Sequence, residues 1–188
     1  MLTHIYNEIT GTTLEILERL NTIEHGEHVI LIYPNYYASR EIYSHFCETA
    51  LKNNEIVLLL TYYEATSAVR QTLKEIDIDV EKYERENVLI IEDITKTYFG
   101  SIRDFLSFLK VFDKQQEKLD KNGLSVIADM GVFFHFQNNK DALMNFESSL
   151  LSKVKRICNY HIGDFSRFEE YEKHDLAEKH NRVMIVAP

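Results

Sequence analysis

The stretch Tyr33-Pro34-Asn35-Tyr36-Tyr37-Ala38-Ser39-Arg40 lies between an apolar run and a helical stretch, where nucleotide hydrolases carry a phosphate-binding loop. Such a loop reads G-x-x-x-x-G-K-[ST]. Its glycines let backbone N–H groups wrap the phosphates, its lysine neutralises them, and its hydroxyl binds magnesium. Here Tyr33 and Ala38 replace both glycines, Ser39 stands at the lysine position and Arg40 at the hydroxyl position. A proline, two tyrosines and no glycine cannot form the same close backbone cradle. Arg40 offers one cation to an anion at a helix N-terminus, against its ordinary reading as a solvated surface group. Two acids complete the layout: Glu64 follows the second apolar run and Asp129 closes the fourth. Acids at such positions hold magnesium or activate water in nucleotide hydrolases, although an acid at a strand end can simply cap a loop. The combination predicts a site that keeps the layout of ATP chemistry without its reactive groups. No catalytic residue and no resident cofactor are expected, and a nucleotide that bound would not be hydrolysed.

Tyr33, Tyr36, Tyr37, Tyr62 and Tyr63 cluster at the carboxyl ends of the first two runs. Aromatic rings with hydroxyl handles suit a small organic or nucleoside-like ligand; equally, they would fill the space that ATP vacates. The candidate ligand-binding set is therefore Tyr33, Asn35, Tyr36, Tyr37, Ser39, Arg40, Tyr62, Glu64 and Asp129. His28, Cys158 and Tyr160 are secondary candidates, because they lie on runs that could be neighbours. Cys158 and His161 have C-x-x-H spacing, and His174 and His180 follow. A transition-metal site needs three or four convergent ligands, and residues three apart on one strand face opposite ways. Scattered, hydrogen-bonded histidines and no metal are the expectation. No oxyanion arrangement is legible that would make Cys158 a nucleophile.

The elements that must position these residues are short apolar runs alternating with amphipathic stretches. The runs are 29–33, 55–61, 88–91, 124–129, 156–161 and 182–186. Between the first two, Ile42, Phe46 and Ala50 repeat every four residues on a helix from about Ala38 to Asn53. Ser67 is placed to cap a helix whose Val69, Leu73 and Ile76 face inward. A long helix from about Ser101 to Lys121 carries Phe105, Phe108, Leu109, Phe112 and Leu119 inward, and Asn122-Gly123 is read as its terminator. Its Lys110, Lys114, Lys118 and Lys121 alternate with Asp113, Glu117 and Asp120, the pattern of a solvated face. Leu143, Phe146 and Leu150 mark a further helix, and a charged one runs from about Phe165 to His180. Strands apolar on both faces and separated by helices imply an α/β domain of three layers, a mostly parallel sheet covered on both sides. Ligands in such a domain sit beyond the carboxyl ends of the strands. Residues 1–24 read as an N-terminal helical extension, with Leu14, Leu17 and Leu20, and Ile16 beside them, available to the domain edge or to a second subunit; residues 25–188 form the domain.

At 188 residues the chain suits one domain with a substantial core. A net charge of −9 argues against a broad nucleic-acid surface. No apolar run approaches the roughly 20 residues that cross a bilayer, and the polar N-terminus is unlike a signal peptide, so a cytoplasmic location is expected. Two cysteines, Cys47 and Cys158, make no disulfide framework.

From about His28 to Val186 the chain resembles the MEDS domain, a sensory domain related to the KaiC/RecA ATPases and named after regulators of methylotrophic and methanogenic metabolism. The resemblance rests on His28-Val29-Ile30-Leu31-Ile32-Tyr33, Lys52-Asn53-Asn54-Glu55, Tyr98-Phe99-Gly100, Phe146-Glu147, Ile157-Cys158-Asn159-Tyr160 and Phe165. The chain departs from the family at His180-Asn181, where a His-Pro pair is common, and lacks the usual Gly-Leu before the second strand. The resemblance implies a RecA/KaiC-like fold and a non-catalytic sensor of an unknown small molecule. Its state would pass to a histidine kinase or transcription regulator, no output segment being legible in the chain. A divergent nucleotide-binding protein or weak ATPase, and a structural partner that assembles as a homo-oligomer, are the alternatives.

Overall fold

Parallel strands need long crossovers and a cover on each face, and the apolar runs meet both demands. The computed structural model describes residues 8–97, 102–136, 139–148 and 153–188. In chain order its elements are β1 (Glu8–Gly11), α1 (Thr13–Leu20), β2 (His28–Tyr33), α2 (Tyr36–Lys52), β3 (Ile56–Thr61), α3 (Thr66–Glu75), α4 (Val80–Arg85), β4 (Leu89–Asp93) and α5 (Ile94–Thr97). They continue with α6 (Ile102–Lys118), β5 (Leu124–Asp129), α7 (Gly131–His135), α8 (Lys140–Glu147), β6 (Val154–His161), α9 (Ile162–Phe165), α10 (Glu170–Glu178) and β7 (Arg182–Val186). The seven strands form one sheet in the order β1-β7-β2-β6-β5-β3-β4, and every pairing is parallel.

Alternation along each strand splits the core into two layers. Val29, Leu31 and Tyr33 of β2 face α1 to α4, where Ile16, Ile42, Phe46, Val69 and Val80 pack. Ile30 and Ile32 face the other side, with Leu109, Phe133, Leu143, Phe146 and Leu176. The architecture is thus the three-layer α/β arrangement read from the runs, with an all-parallel sheet.

Several local expectations are corrected. Within residues 1–24, β1 pairs with β7 at the sheet edge, a four-residue strand too short for periodicity to reveal. On α1, Ile16 and Leu20 are buried in the core and Leu17 packs against it, while Leu14 is exposed. The cap of α3 is Ala65, without a side-chain bond, and Ser67 lies inside the helix; Ile76 points outward. Helix α6 stops at Lys118 and the left-handed residue is Asp120, φ 52°. Gly123 instead admits a close approach, since a Cβ there would lie 2.1 Å from His25 Nε2. Leu119 is exposed. The charged helix expected from about Phe165 to His180 is the shorter α10, Glu170–Glu178, and the four-residue α9 precedes it. Tyr98-Phe99-Gly100, Leu150 and the side chains of Phe105 and Asp113 lie outside the described residues.

Candidate functional site

Beyond the carboxyl ends of β2, β3, β5 and β6 lies a narrow, partly open cleft with a cavity volume of about 20 Å³. Its floor is apolar, from Leu59, Leu60, Val69 and Ile127, and its polar lining comes from Tyr33, Tyr36, Ser39, Tyr43, Thr61, Tyr63, Glu64, Asp129 and Asn159. The strands place these groups by register: Tyr33 lies beside His161 and Asp129 beside Asn159.

The turn from β2 to α2 shows what replaced the phosphate cradle. Asn35 caps α2, its Oδ1 accepting from Ala38 N–H at 3.0 Å. A helix N-terminus attracts an anion through its unpaired N–H groups, and Asn35 already satisfies one of them. Arg40 donates from Nε to Glu64 Oε1 at 2.8 Å, with a second guanidinium nitrogen at 2.7 Å from the same oxygen. A phosphate would have to displace the Glu64 carboxylate from Arg40.

Asp129 ends β5 under a lid of tyrosines. Its carboxylate accepts from Tyr63 N–H at 3.2 Å and Gly131 N–H at 3.1 Å. Burial raises its pKa to about 7, the Gly131 and Tyr63 N–H groups opposing and the charge of Asp164 adding to the rise. Asp164, at the start of α9, accepts from Tyr63 OH and lies 2.7 Å from His135 Nε2. Tyr63 is therefore clamped between two carboxylates, and burial first and Asp164 second raise its pKa. Glycine is required at 131, since a Cβ would lie 2.6 Å from the Tyr63 ring. Tyr36 stacks on His161, ring centroids 5.8 Å apart, and tilts against Tyr63 at 5.5 Å.

Of the nine primary candidates the structure brings Tyr33, Tyr36, Ser39, Glu64 and Asp129 into the cleft lining. Asn35 and Arg40 stand behind it as cap and ion-pair partner. Tyr62 lies edge-on to Tyr63 at the rim, and Tyr37 is 72% exposed. Asp164, His135, Asn159, Tyr43 and Thr61 escaped the sequence reading, since nothing in their spacing ties them to the turn after β2. A distinctive signal comes from buried polar atoms that lack a hydrogen-bond partner: Tyr33 OH, Tyr43 OH, Thr61 Oγ1 and Asn159 Oδ1 among them. These four residues all line the cleft.

The secondary candidates gather elsewhere, on the opposite face of β6. The expectation of scattered histidines is overturned for two of them. His28 Nε2 lies 3.0 Å from Cys158 Sγ and 3.1 Å from Glu147 Oε2, and His180 Nε2 is 3.3 Å from that oxygen. Tyr160 OH donates to Glu147 Oε1, and an Arg156 nitrogen lies 2.8 Å from His28 Nδ1. Burial alone would raise the pKa of Glu147, but His180 and His28 hold it well below the usual carboxylate range. Burial takes His28 down to about 4. His174 stays apart, 3.6 Å from Glu178 on α10. His161 points to the cleft side, as alternation from Cys158 requires.

Comparison with known proteins places these features in context. A family model described as MEDS, the methanogen/methylotroph, DcmR sensory domain, matches residues 27–181. No curated protein matches the chain. Among solved structures it is similar to an uncharacterised protein, PH0321, from Pyrococcus horikoshii, crystallised with an unknown peptide. The TM-score is 0.66 at 10% identity, covering 92% of this chain and 82% of that one. It is also similar to the KaiC-like protein PH0186 from Pyrococcus horikoshii OT3, with a TM-score of 0.65 at 16% identity, covering 96% of this chain and 79% of that one. At these identities the likeness establishes the fold, which is KaiC-like. Among the described residues no helix is long and apolar enough to cross a membrane.

Proposed function

The chain belongs to the MEDS sensory-domain family, and from that premise we propose that it is a non-catalytic sensor whose ligand is a compact, neutral or cationic organic molecule held in the cleft above Asp129. One observation carries this reading. Tyr33 OH, Thr61 Oγ1 and Asn159 Oδ1 are buried without hydrogen-bond partners, and all three line one cleft. A buried, unpaired polar group costs roughly 1–3 kcal/mol, and three in one place are the signature of groups reserved for a ligand. The apolar floor suits a hydrocarbon body, and the hydroxyls and amide suit one or two polar atoms on it. The neighbouring carboxylates of Asp129 and Asp164 favour a cation and oppose a phosphate, while tyrosine faces add to the attraction of an ammonium group.

The same geometry supports the absence of catalysis. Asn35 occupies the helix N-terminus, Arg40 and Glu64 neutralise each other, and Asp129 is already bonded to two backbone N–H groups. The ligand-bound state would then be read by a partner kinase or transcription regulator.

Thermal-shift and calorimetric screening of small alcohols, small amines and Mg-ATP tests the proposal. A compact alcohol or amine should bind saturably, and Tyr33→Phe should weaken it about 5- to 30-fold. Without ligand, Tyr33→Phe should be neutral or slightly stabilising, because it removes an unpaired hydroxyl. Magnesium-dependent ATP turnover abolished by Asp129→Ala would overturn the reading.

A further inference from the structure

Cys158 and Asn159 are consecutive on β6, so their side chains leave opposite faces of the sheet. Asn159 serves the cleft, and Cys158 enters the second polar cluster, which the sensory reading leaves without a role. We infer that Glu147, Cys158 and His180 form a binding site for a borderline-soft divalent cation of the zinc type, with His28 beside it as a fourth donor.

The donor set is an imidazole, a thiol and a carboxylate, the ligand types that zinc takes. Together with His28 their ligand atoms lie within 4.8 Å of one another. Cys158 Sγ is 3.0 Å and His180 Nε2 3.3 Å from Glu147 Oε2. With Zn–N and Zn–O near 2.0–2.2 Å and Zn–S near 2.3 Å, the edges of a tetrahedral site measure roughly 3.3–3.6 Å. An opening of a few tenths of an ångström along the short edges would admit the ion.

His180 gives the independent sign of a ligand. Its Nδ1 lies 2.6 Å from Leu176 carbonyl oxygen, which can only accept, so the ring proton sits on Nδ1 and the Nε2 lone pair is free. That Nε2 is buried, with Glu147 Oε2 3.3 Å away. It faces a carboxylate oxygen, and either a proton on the ring or a metal ion joins the two; with the ring neutral, the lone pair is open to the metal. A zinc-binding histidine is held in this way, its other N–H donating to a carbonyl. Tyr160 likewise fixes the second Glu147 oxygen.

His28 differs. Arg156 can only donate, so the 2.8 Å contact makes His28 Nδ1 an acceptor and leaves the proton of the neutral ring on Nε2. His28 ligates only after Arg156 releases Nδ1 and the proton moves there. Three ligands therefore act as the chain stands, with the fourth position held by His28 or by a water. Binding replaces the Cys158 thiol proton, which is released to solvent. With thiolate and carboxylate both negative, a divalent cation is neutralised. Because the donors come from β6, the end of α8 and the turn after α10, the ion would tie three segments together and load as the chain folds.

Cobalt(II) substitution of the chelator-stripped full chain, with metal analysis of the purified protein, tests the site. About one zinc per chain is expected. Cobalt should give the visible bands of a four-coordinate ion and a thiolate charge-transfer band that Cys158→Ser removes and Cys47→Ser retains. His180→Gln should lower affinity at least tenfold, and chelation should lower the melting temperature of the wild type. If Cys158→Ser and His180→Gln fail to fold, X-ray absorption of the zinc-loaded wild type must find one sulfur with nitrogen and oxygen neighbours. Absence of stoichiometric metal after zinc loading, or a cobalt spectrum unchanged by Cys158→Ser in the folded variant, overturns the proposal.

Discussion

Asp129 sits in an environment far from what its type alone implies. Burial, with the nearby Asp164 charge, outweighs the backbone N–H groups of Gly131, Tyr63 and Tyr62 that favour its ionised form, so its pKa rises to about 7. The fold therefore prefers this carboxyl protonated, whereas the unfolded chain ionises it near pH 4. Its contribution to stability is fully present below about pH 4 and is lost as pH rises through about 7. With 1.36 kcal/mol per pKa unit, the loss is at most on the order of 4 kcal/mol. His28 acts in the opposite sense: its folded pKa is depressed to about 4, so stability is gained as pH rises towards 6.5. The Asp129 effect is therefore isolated by comparison with Asp129→Asn. Denaturant unfolding between pH 5 and 8 should show a decline in wild type that is smaller in the variant, and carboxyl carbon NMR should place the titration near 7. A shift midpoint near 4 would contradict the account. At this scale the sequence made Asp129, Glu64 and the tyrosines visible, because their positions relative to apolar runs are a local pattern. Asp164, Glu147 and Asn159 were not legible as site residues, because their partners lie tens of residues away in sequence.

Elements were legible in proportion to their length and apolar content. β2, β3, β5 and β6 are buried along nearly their whole lengths; the first three read as mainly apolar runs, whereas β6 carries Lys155, Arg156 and Asn159 among its apolar residues. β1 and α7, at four and five residues, fall below the window in which a period can be counted. Helix ends were the other weakness, because capping depends on φ and side-chain rotamer rather than on residue type alone. Asn122-Gly123 looked like a terminator, yet the chain turned at Asp120. Asn35 is the converse case: its side chain does cap α2, bonding Ala38 N–H. That bond replaces one of the contacts a phosphate would make, so the element is closed by its own sequence. Asn35→Ala should cost about 1 kcal/mol, a fall of about 2–4 °C in melting temperature for a chain of this size. Differential scanning calorimetry measures it directly. An unchanged midpoint would mean that the cap contributes nothing, and the turn after β2 would then be held by tyrosine packing alone.

For the whole molecule, the order β1-β7-β2-β6-β5-β3-β4 puts both polar clusters on the central strands β2 and β6, one on each face. Residues 8–24 lie at the far edge, where β1 covers β7 and α1 inserts Ile16 and Leu20 into the core on the α2 side. Read from sequence, this segment is a helical extension that packs on the domain edge or on a second subunit. In the fold it is an edge strand with its own covering helix, joined to β7 by four residue pairs from Glu8↔Val183 to Gly11↔Val186. An uncovered edge presents unpaired N–H and C=O groups and invites pairing with another chain. Removing residues 1–24 should therefore do two things together. It should lower unfolding stability by several kcal/mol, since burying one aliphatic side chain contributes roughly 1.5–3 kcal/mol and three, Ile16, Leu20 and Ile23, are lost. It should also increase self-association, because β7 becomes the edge. Light scattering and urea unfolding of the full and shortened chains separate this from the oligomer reading: a helix that assembled subunits would make the shortened chain smaller in mass, whereas an edge cover makes it larger. Equal mass and equal stability would remove the segment from both accounts.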